Sequence, residues 1–150
     1  MSSCTRIDRA LMPAKDVFHD VVKTALQKDG WTITDDPLHI RIGGVLDMYI
    51  DLGAEKVIAA EKAGRKIAVE IKSFVGSSTL SEFHLALGQF VNYRYALADT
   101  EPDRVLYLAV PLDIYEEFFT LAFIQSVLRR SQLYLLVYDV GTEEITQWHP

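Results

Sequence analysis

The chain has 150 residues, 49% of them apolar, which is enough for one domain with a real core and argues against a second. Its formal charge of -6 argues against a surface coated in cations for tight nonspecific nucleic-acid binding, while a local basic cleft remains compatible with it. The single cysteine, Cys4, excludes an internal disulfide, and the sequence shows no zinc-ligand spacing, no apolar run of about 18 residues and no signal-peptide pattern, so it reads as soluble and cytoplasmic.

Residues 1–12 are polar and unpatterned and read as a disordered extension, which leaves one folded domain over 13–150. Over 13–29, Val17, Phe18, Val21, Val22, Ala25 and Leu26 recur at three-to-four spacing, predicting an amphipathic helix with Gly30 as its stop. Asp16 and His19 fall toward the opposite face and read as solvated. A short strand is expected at 31–33, and a turn at Asp35-Asp36-Pro37, where proline fixes its own dihedral and restricts the residue before it. A second short strand is expected at 39–42. Gly43-Gly44 breaks the chain, and 45–52 returns to β character with Asp51 near its end. Residues 56–61 and 65–72, joined by Lys62-Ala63-Gly64, read as a hairpin.

Gly76-Ser77-Ser78-Thr79 is a breaker followed by helix-capping residues, with Glu82 three beyond Thr79 as a capping box requires. The helix predicted from there to residue 98 carries one stripe of Leu80, Phe83, Leu87, Phe90, Val91 and Arg94, and a second of Leu85, Gln89 and Tyr93. Gln89 and Tyr93, four apart, lie one above the other. A strand over 104–110 ends at Pro111, a single helix is expected over 115–129, and strands at 133–138 and 145–148 bracket Val140-Gly141-Thr142-Glu143 as a final hairpin. This order predicts an α/β fold of the α+β type, a mixed central sheet flanked by helices.

Chemistry concentrates in Ile67-Ala68-Val69-Glu70-Ile71-Lys72. In a strand, alternate side chains share a face, so Glu70 and Lys72 stand together on the face opposite Ile67, Val69 and Ile71. By itself this reads as a solvated ion pair on a half-exposed strand. Phosphodiester hydrolysis, however, needs a divalent cation, an oriented water and often a cation near the attacking or leaving oxygen. Asp51 and Glu70 offer hard oxygen ligands suited to magnesium, with Lys72 beside the water. Glu61 reads as a surface acid, His84 as an interfacial helix residue, and Tyr115, Phe118 and Phe119 as core or a partner surface.

An acid, a hairpin carrying Glu-x-Lys, and a following helix carrying Gln89-Phe90-Val91-Asn92-Tyr93 resemble the core of the PD-(D/E)XK, or restriction-endonuclease-like, nucleases, in the subset related to the RecB nucleases. Ala14-Lys15-Asp16, Asp29-Gly30-Trp31-Thr32-Ile33-Thr34, Asp51-Leu52-Gly53-Ala54-Glu55, Ala59-Ala60-Glu61-Lys62, residues 67–74 and Ala86-Leu87-Gly88-Gln89-Phe90 resemble, more closely, the fdxN element excision controlling factors of the XisH type. That resemblance implies a cyanobacterial protein with a nuclease-like fold, associated with programmed excision of a DNA element during heterocyst development.

It further implies a site of Asp51, Glu70, Lys72, Gln89 and Tyr93, magnesium or manganese as cofactor, and DNA as partner. A small XisI-like protein or a site-specific recombinase is an expected companion, and self-association is open. The family's usual proline before the first acid is replaced by Ile50, which leaves Glu55 as an alternative metal ligand to Asp51. Two functions follow, a magnesium-dependent DNA hydrolase or a noncatalytic regulator or adaptor on the same fold.

Overall fold

The structure, a computed structural model, describes residues 14–40 and 57–150. The N-terminal extension, the strand expected at 45–52, and Asp51 and Glu55 lie outside the described residues. The elements run α1 (Ala14–Lys28), β1 (Thr32–Asp35), β2 (Val57–Lys62), β3 (Arg65–Ile71), α2 (Thr79–Thr100), β4 (Arg104–Pro111), α3 (Leu112–Ile114) continuing into a π-helical turn (Tyr115–Phe119), α4 (Ala122–Ser131), β5 (Leu135–Asp139) and β6 (Glu144–His149).

The six strands among the described residues form one sheet in sequence order. The β1–β2, β2–β3 and β5–β6 pairs are antiparallel, and β3–β4 and β4–β5 are parallel. The two parallel steps need crossovers, which α2 and the α3–α4 segment supply. Both crossovers pack on one face, as two successive right-handed connections moving the same way across a sheet must. There Phe83, Ala86, Phe90 and Leu97 of α2 and Ile124 and Leu128 of α4 meet Ala68, Leu106, Leu108 and Leu135. On the other face Val21, Val22 and Leu26 of α1 cover Ile58, Val69, Ala109 and Tyr138. This is the mixed sheet flanked by helices that the element order predicts.

Local chemistry explains the joints. Gly30 closes α1 at φ +93°, with Trp31 N donating to Leu26 O at 3.0 Å and Gly30 N to Gln27 O at 3.0 Å, a left-handed C-terminal cap. Ala63 and Gly64 both take positive φ, 51° and 81°, the two-residue turn whose twist matches a hairpin. That turn fixes the β2–β3 register at Lys62 opposite Arg65 and carries it up to Val57 opposite Glu70.

Four expectations are corrected. His39 and Ile40 are not in a strand, Leu38 N instead donating to Val57 O at 2.7 Å. The N-cap of α2 is Ser78, whose hydroxyl accepts from Ser81 N at 3.2 Å, while Glu82 accepts from Gly76 N at 2.9 Å, so the cap sits one residue earlier than the capping box placed it. On α2, Phe83 and Phe90 of the first stripe and Tyr93 of the second are buried, but Leu80 and Leu85 are exposed, and Ala86, Ala96 and Leu97 complete the buried face instead. The single helix expected over 115–129 is interrupted. The break is at Leu121, whose backbone is extended at φ -63° and ψ 138° between the π-helical turn and α4, while Phe118 and Phe119 just before it both pack on Phe83, at 5.5 and 5.7 Å between ring centroids.

Candidate functional site

Glu70 and Lys72 stand on the covered α2 face of the sheet. Glu70 lies in the register between Val57 of β2 and Leu108 of β4, both fully buried. It is 2% exposed and Lys72 9%, so the pair is buried and not the solvated pair that an isolated Glu-x-Lys suggests. Lys72 Nζ stands 3.9 Å from Glu70 Oε2, an ion pair beyond direct hydrogen-bond length. Ser73, which the sequence reading passed over, is buried beside them at 5%.

Placing a carboxylate and an amine between apolar neighbours costs several kcal/mol per ion in effective desolvation, which their attraction only partly offsets. The sequence signal for this burial was the apolar run on both sides of the pair. A strand covered on both faces reads as continuous hydrophobics, and Glu70 and Lys72 interrupt such a run.

The main chain at this point is held from two directions. Lys72 N donates to Ala109 O at 3.1 Å, carrying the parallel pairing with β4 one residue past the strand end. Tyr138 of β5 donates its hydroxyl to Lys72 O at 3.2 Å from the opposite face. Phe74 then takes φ +55°, a left-handed conformation unusual for a bulky residue, and its ring packs edge-on against Phe119 at 5.5 Å. The aromatics expected to form core do so here, and they fix the exit of the strand that carries the pair.

Gln89 and Tyr93 both lie on α2, the helix covering the Glu70 face. Tyr93 is buried in the core cluster that also contains Ala68. Gln89 Oε1 is buried and has no hydrogen-bond partner among the described residues, a costly state for an amide oxygen. Arg94, one turn along, donates to Ser131 O and to Gln132 O, the latter at 3.0 Å, and so ties α2 to the end of α4.

Other polar residues have structural partners. His19, expected to be solvated, is 12% exposed, with Nε2 at 2.9 Å from Asp36 Oδ1, and Lys23 Nζ is 2.7 Å from Asp36 Oδ2. Burial alone raises the pKa of Asp36, but hydrogen bonds from Lys23 and His19 and their positive charge outweigh it and hold the carboxyl below its ordinary value. His84 is exposed on α2, and Glu61 is half-buried in β2. His149 is stacked on Tyr115 at 5.1 Å, and burial pushes its pKa down.

A divalent cation asks for hard oxygen ligands. The described residues offer the Glu70 carboxylate and the unpartnered Gln89 Oε1, which suits that demand in kind. Among the described residues no group of three or more His, Cys, Asp or Glu is placed to hold a metal. Asp51 and Glu55, the acids expected to contribute a further carboxylate, lie outside them. No helix among the described residues is long and apolar enough to cross a membrane.

A family model described as XisH protein matches residues 12–146. Among solved structures, the chain is similar to a fdxN element excision controlling factor protein from Anabaena variabilis, with 59% identity and a TM-score of 0.81 over 90% of this chain and 99% of that one. It is also similar to an XisH family protein from Nostoc punctiforme, with 55% identity and a TM-score of 0.80 over 89% of this chain and 99% of that one. No curated protein matches the chain.

Proposed function

The chain belongs to the XisH family, and we propose that it is a DNA-handling factor in the excision of a DNA element, with a restriction-endonuclease-like fold and a magnesium-dependent phosphodiester hydrolase site centred on Glu70 and Lys72. The name of the Anabaena variabilis relative supports the excision role. The observation that carries the site is the buried acid and amine 3.9 Å apart on one face of β3, a costly arrangement in a strand otherwise apolar on that stretch. A stability-driven sequence would place hydrophobic residues there.

In this reading Glu70 and one of Asp51 or Glu55 hold magnesium. When bound, magnesium offsets charge on the phosphate and lowers the pKa of a bound water. Lys72 presents its ammonium to the attacking or leaving oxygen, where negative charge develops. Tyr93 and Gln89 line the covering helix and orient the groups beneath it. The hairpin, the following helix and the parallel β4 supply the order of elements that such a site needs.

The experiment is metal-dependent cleavage of single-stranded, duplex and branched DNA by the wild type and by Glu70→Gln, which removes the charge and keeps the shape. Cleavage by the wild type, reduced about a hundredfold or more in the variant, is the expected result. Equal activity in both, or none on any substrate, counts against catalysis.

One observation favours a second reading. The near-complete burial of Glu70 and Lys72, in a chain of net charge -6, suits a noncatalytic regulator or adaptor that engages DNA, a recombinase or an XisI-like partner through other surfaces. Such a protein need not keep metal affinity that depends on Glu70. Co-purification with a small protein, together with no metal-dependent shift in melting temperature, would establish this reading over the first.

A further inference from the structure

A cavity of about 360 Å³ lies between α4 and the end of β6, within the size range of small-ligand sites. Leu128 of α4, with Leu133 and Leu135 at the entry to β5, supplies its apolar lining, and all three are buried in the core. Gln125 and Arg129, four apart and so on one flank of α4, line it together with His149 of β6. None of these residues belongs to the Glu70 site.

Two of its polar side chains are each held by one atom and leave another free. Gln125 Nε2 donates to Phe119 O, which leaves the amide oxygen as an acceptor. His149 Nε2 stands 2.7 Å from Gln147 Oε1, an oxygen that only accepts, so Nε2 carries the proton and Nδ1 keeps its lone pair. Burial favours the neutral ring, which keeps Nδ1 an acceptor. The plane of the ring is set by Tyr115, which stacks on it at 5.1 Å and 21° from parallel. Among the described residues, Gln125 Oε1 and His149 Nδ1 have no hydrogen-bond partner, and the exposed Arg129 guanidinium has neither a hydrogen bond nor an ion pair. Neither acceptor is sealed from solvent.

These groups describe their ligand. Two fixed acceptors call for a molecule that donates, the arginine calls for an anion, and the leucines beside a flat imidazole call for an apolar ring. A base with an amino group, attached to a phosphate, meets all three demands. We infer that this cavity is a nucleotide site, in which Gln125 Oε1 and His149 Nδ1 accept hydrogen bonds from one amino-bearing base and Arg129 holds its phosphate. The choice of a nucleotide over other amino-bearing aromatic anions rests on the DNA-handling reading proposed above. A base paired in a duplex is stacked between its neighbours and does not enter a cavity, so the ligand is an unpaired base of a DNA strand or a free nucleotide.

The test is an NMR titration of the full chain, without metal, with dAMP, dTMP, deoxyadenosine and a short oligodeoxyadenylate, at up to about 10 mM so that millimolar binding is seen. In wild type dAMP shifts the signals of Gln125, Arg129 and His149 saturably, and dTMP, which has no amino group, binds about tenfold or more weakly. Arg129→Ala, at an exposed position, keeps the melting temperature, weakens dAMP about tenfold and leaves deoxyadenosine unchanged. Gln125→Leu erases the preference for adenine over thymine. An oligonucleotide that binds more tightly than dAMP assigns the site to a DNA strand, and equal affinity assigns it to the free nucleotide. No saturable binding of either, equal affinity for dAMP and dTMP, or an Arg129→Ala variant that binds dAMP like wild type would each overturn the inference. Glu70→Gln binds dAMP like wild type, so nucleotide binding by a chain that cleaves no DNA would keep this site and sink the hydrolase reading.

Discussion

Tyr138 and Lys72 are joined through the sheet. The tyrosine hydroxyl, on β5 and fully buried on the α1 side, donates to the main-chain carbonyl of Lys72 at 3.2 Å, where β3 ends. The side chain of Lys72 points to the other side. The amine that faces the site is thus anchored through its own backbone by a residue from across β4.

Tyr138→Phe removes that donor and keeps the ring. The expected loss is about 0.5–1.5 kcal/mol, the net worth of one hydrogen bond, read as a lower urea midpoint at unchanged slope. If Lys72 acts in a reaction, the same variant lowers kcat more than it raises KM, because it misplaces the amine without touching a substrate-binding surface.

Replacing one member of the Glu70–Lys72 pair and replacing both have opposite expected effects. Lys72→Met alone leaves a buried carboxylate without its cation and costs about 3–5 kcal/mol. The double variant Glu70→Met, Lys72→Met is neutral or more stable than wild type by about 1–4 kcal/mol, since apolar side chains fill the space between Val57 and Leu108. Chemical denaturation of the three proteins checks this. A double variant as unstable as the single one would mean that the pair holds the fold together.

The cluster at Asp36 sets a pH dependence of known sign. A carboxylate with a depressed folded-state pKa contributes stability above its unfolded pKa and loses it as pH falls through the folded value. Asp36→Asn is therefore less stable than wild type at pH 7, by about 0.5–1 kcal/mol for a partly exposed pair. The difference shrinks through the acid range and vanishes once Asp36 is protonated in the folded wild type. Paired thermal melts from pH 7 downward measure it.

Two glycines have opposite signs. Gly88 occupies the interior of α2 with open space around it, so Gly88→Ala raises stability by about 0.5–1 kcal/mol. Gly30 sits at φ +93° with Lys62 Cε 3.2 Å from the position a Cβ would take, so Gly30→Ala is destabilising by about 1 kcal/mol or more. Melting temperatures of the two variants should move in opposite directions.

What was legible in the sequence was what local chemistry controls. The three-to-four spacing and Gly30 mark α1, and the Ala63-Gly64 turn marks the β2–β3 hairpin and with it the shared face of Glu70 and Lys72. What depends on partners distant in sequence was less visible. The aromatics of the π-helical turn at 115–119 pack on Phe83, more than thirty residues earlier. The burial of the Glu70–Lys72 pair comes from the helix laid over it, and His19 became a partner of Asp36 only when α1 met the turn after β1. The tie from Tyr138 to Lys72 spans 66 positions and has no local signature. Asp51 and Glu55 remain alternatives, because both lie outside the described residues.

The most direct measurement is a crystal of the protein soaked in manganese and examined for anomalous density. The account predicts a single strong peak touching the Glu70 carboxylate and one of Asp51 or Glu55, with the peak absent in Glu70→Gln. Well-ordered Glu70 and Lys72 side chains with no peak between those carboxylates, or a peak that survives Glu70→Gln, would contradict it.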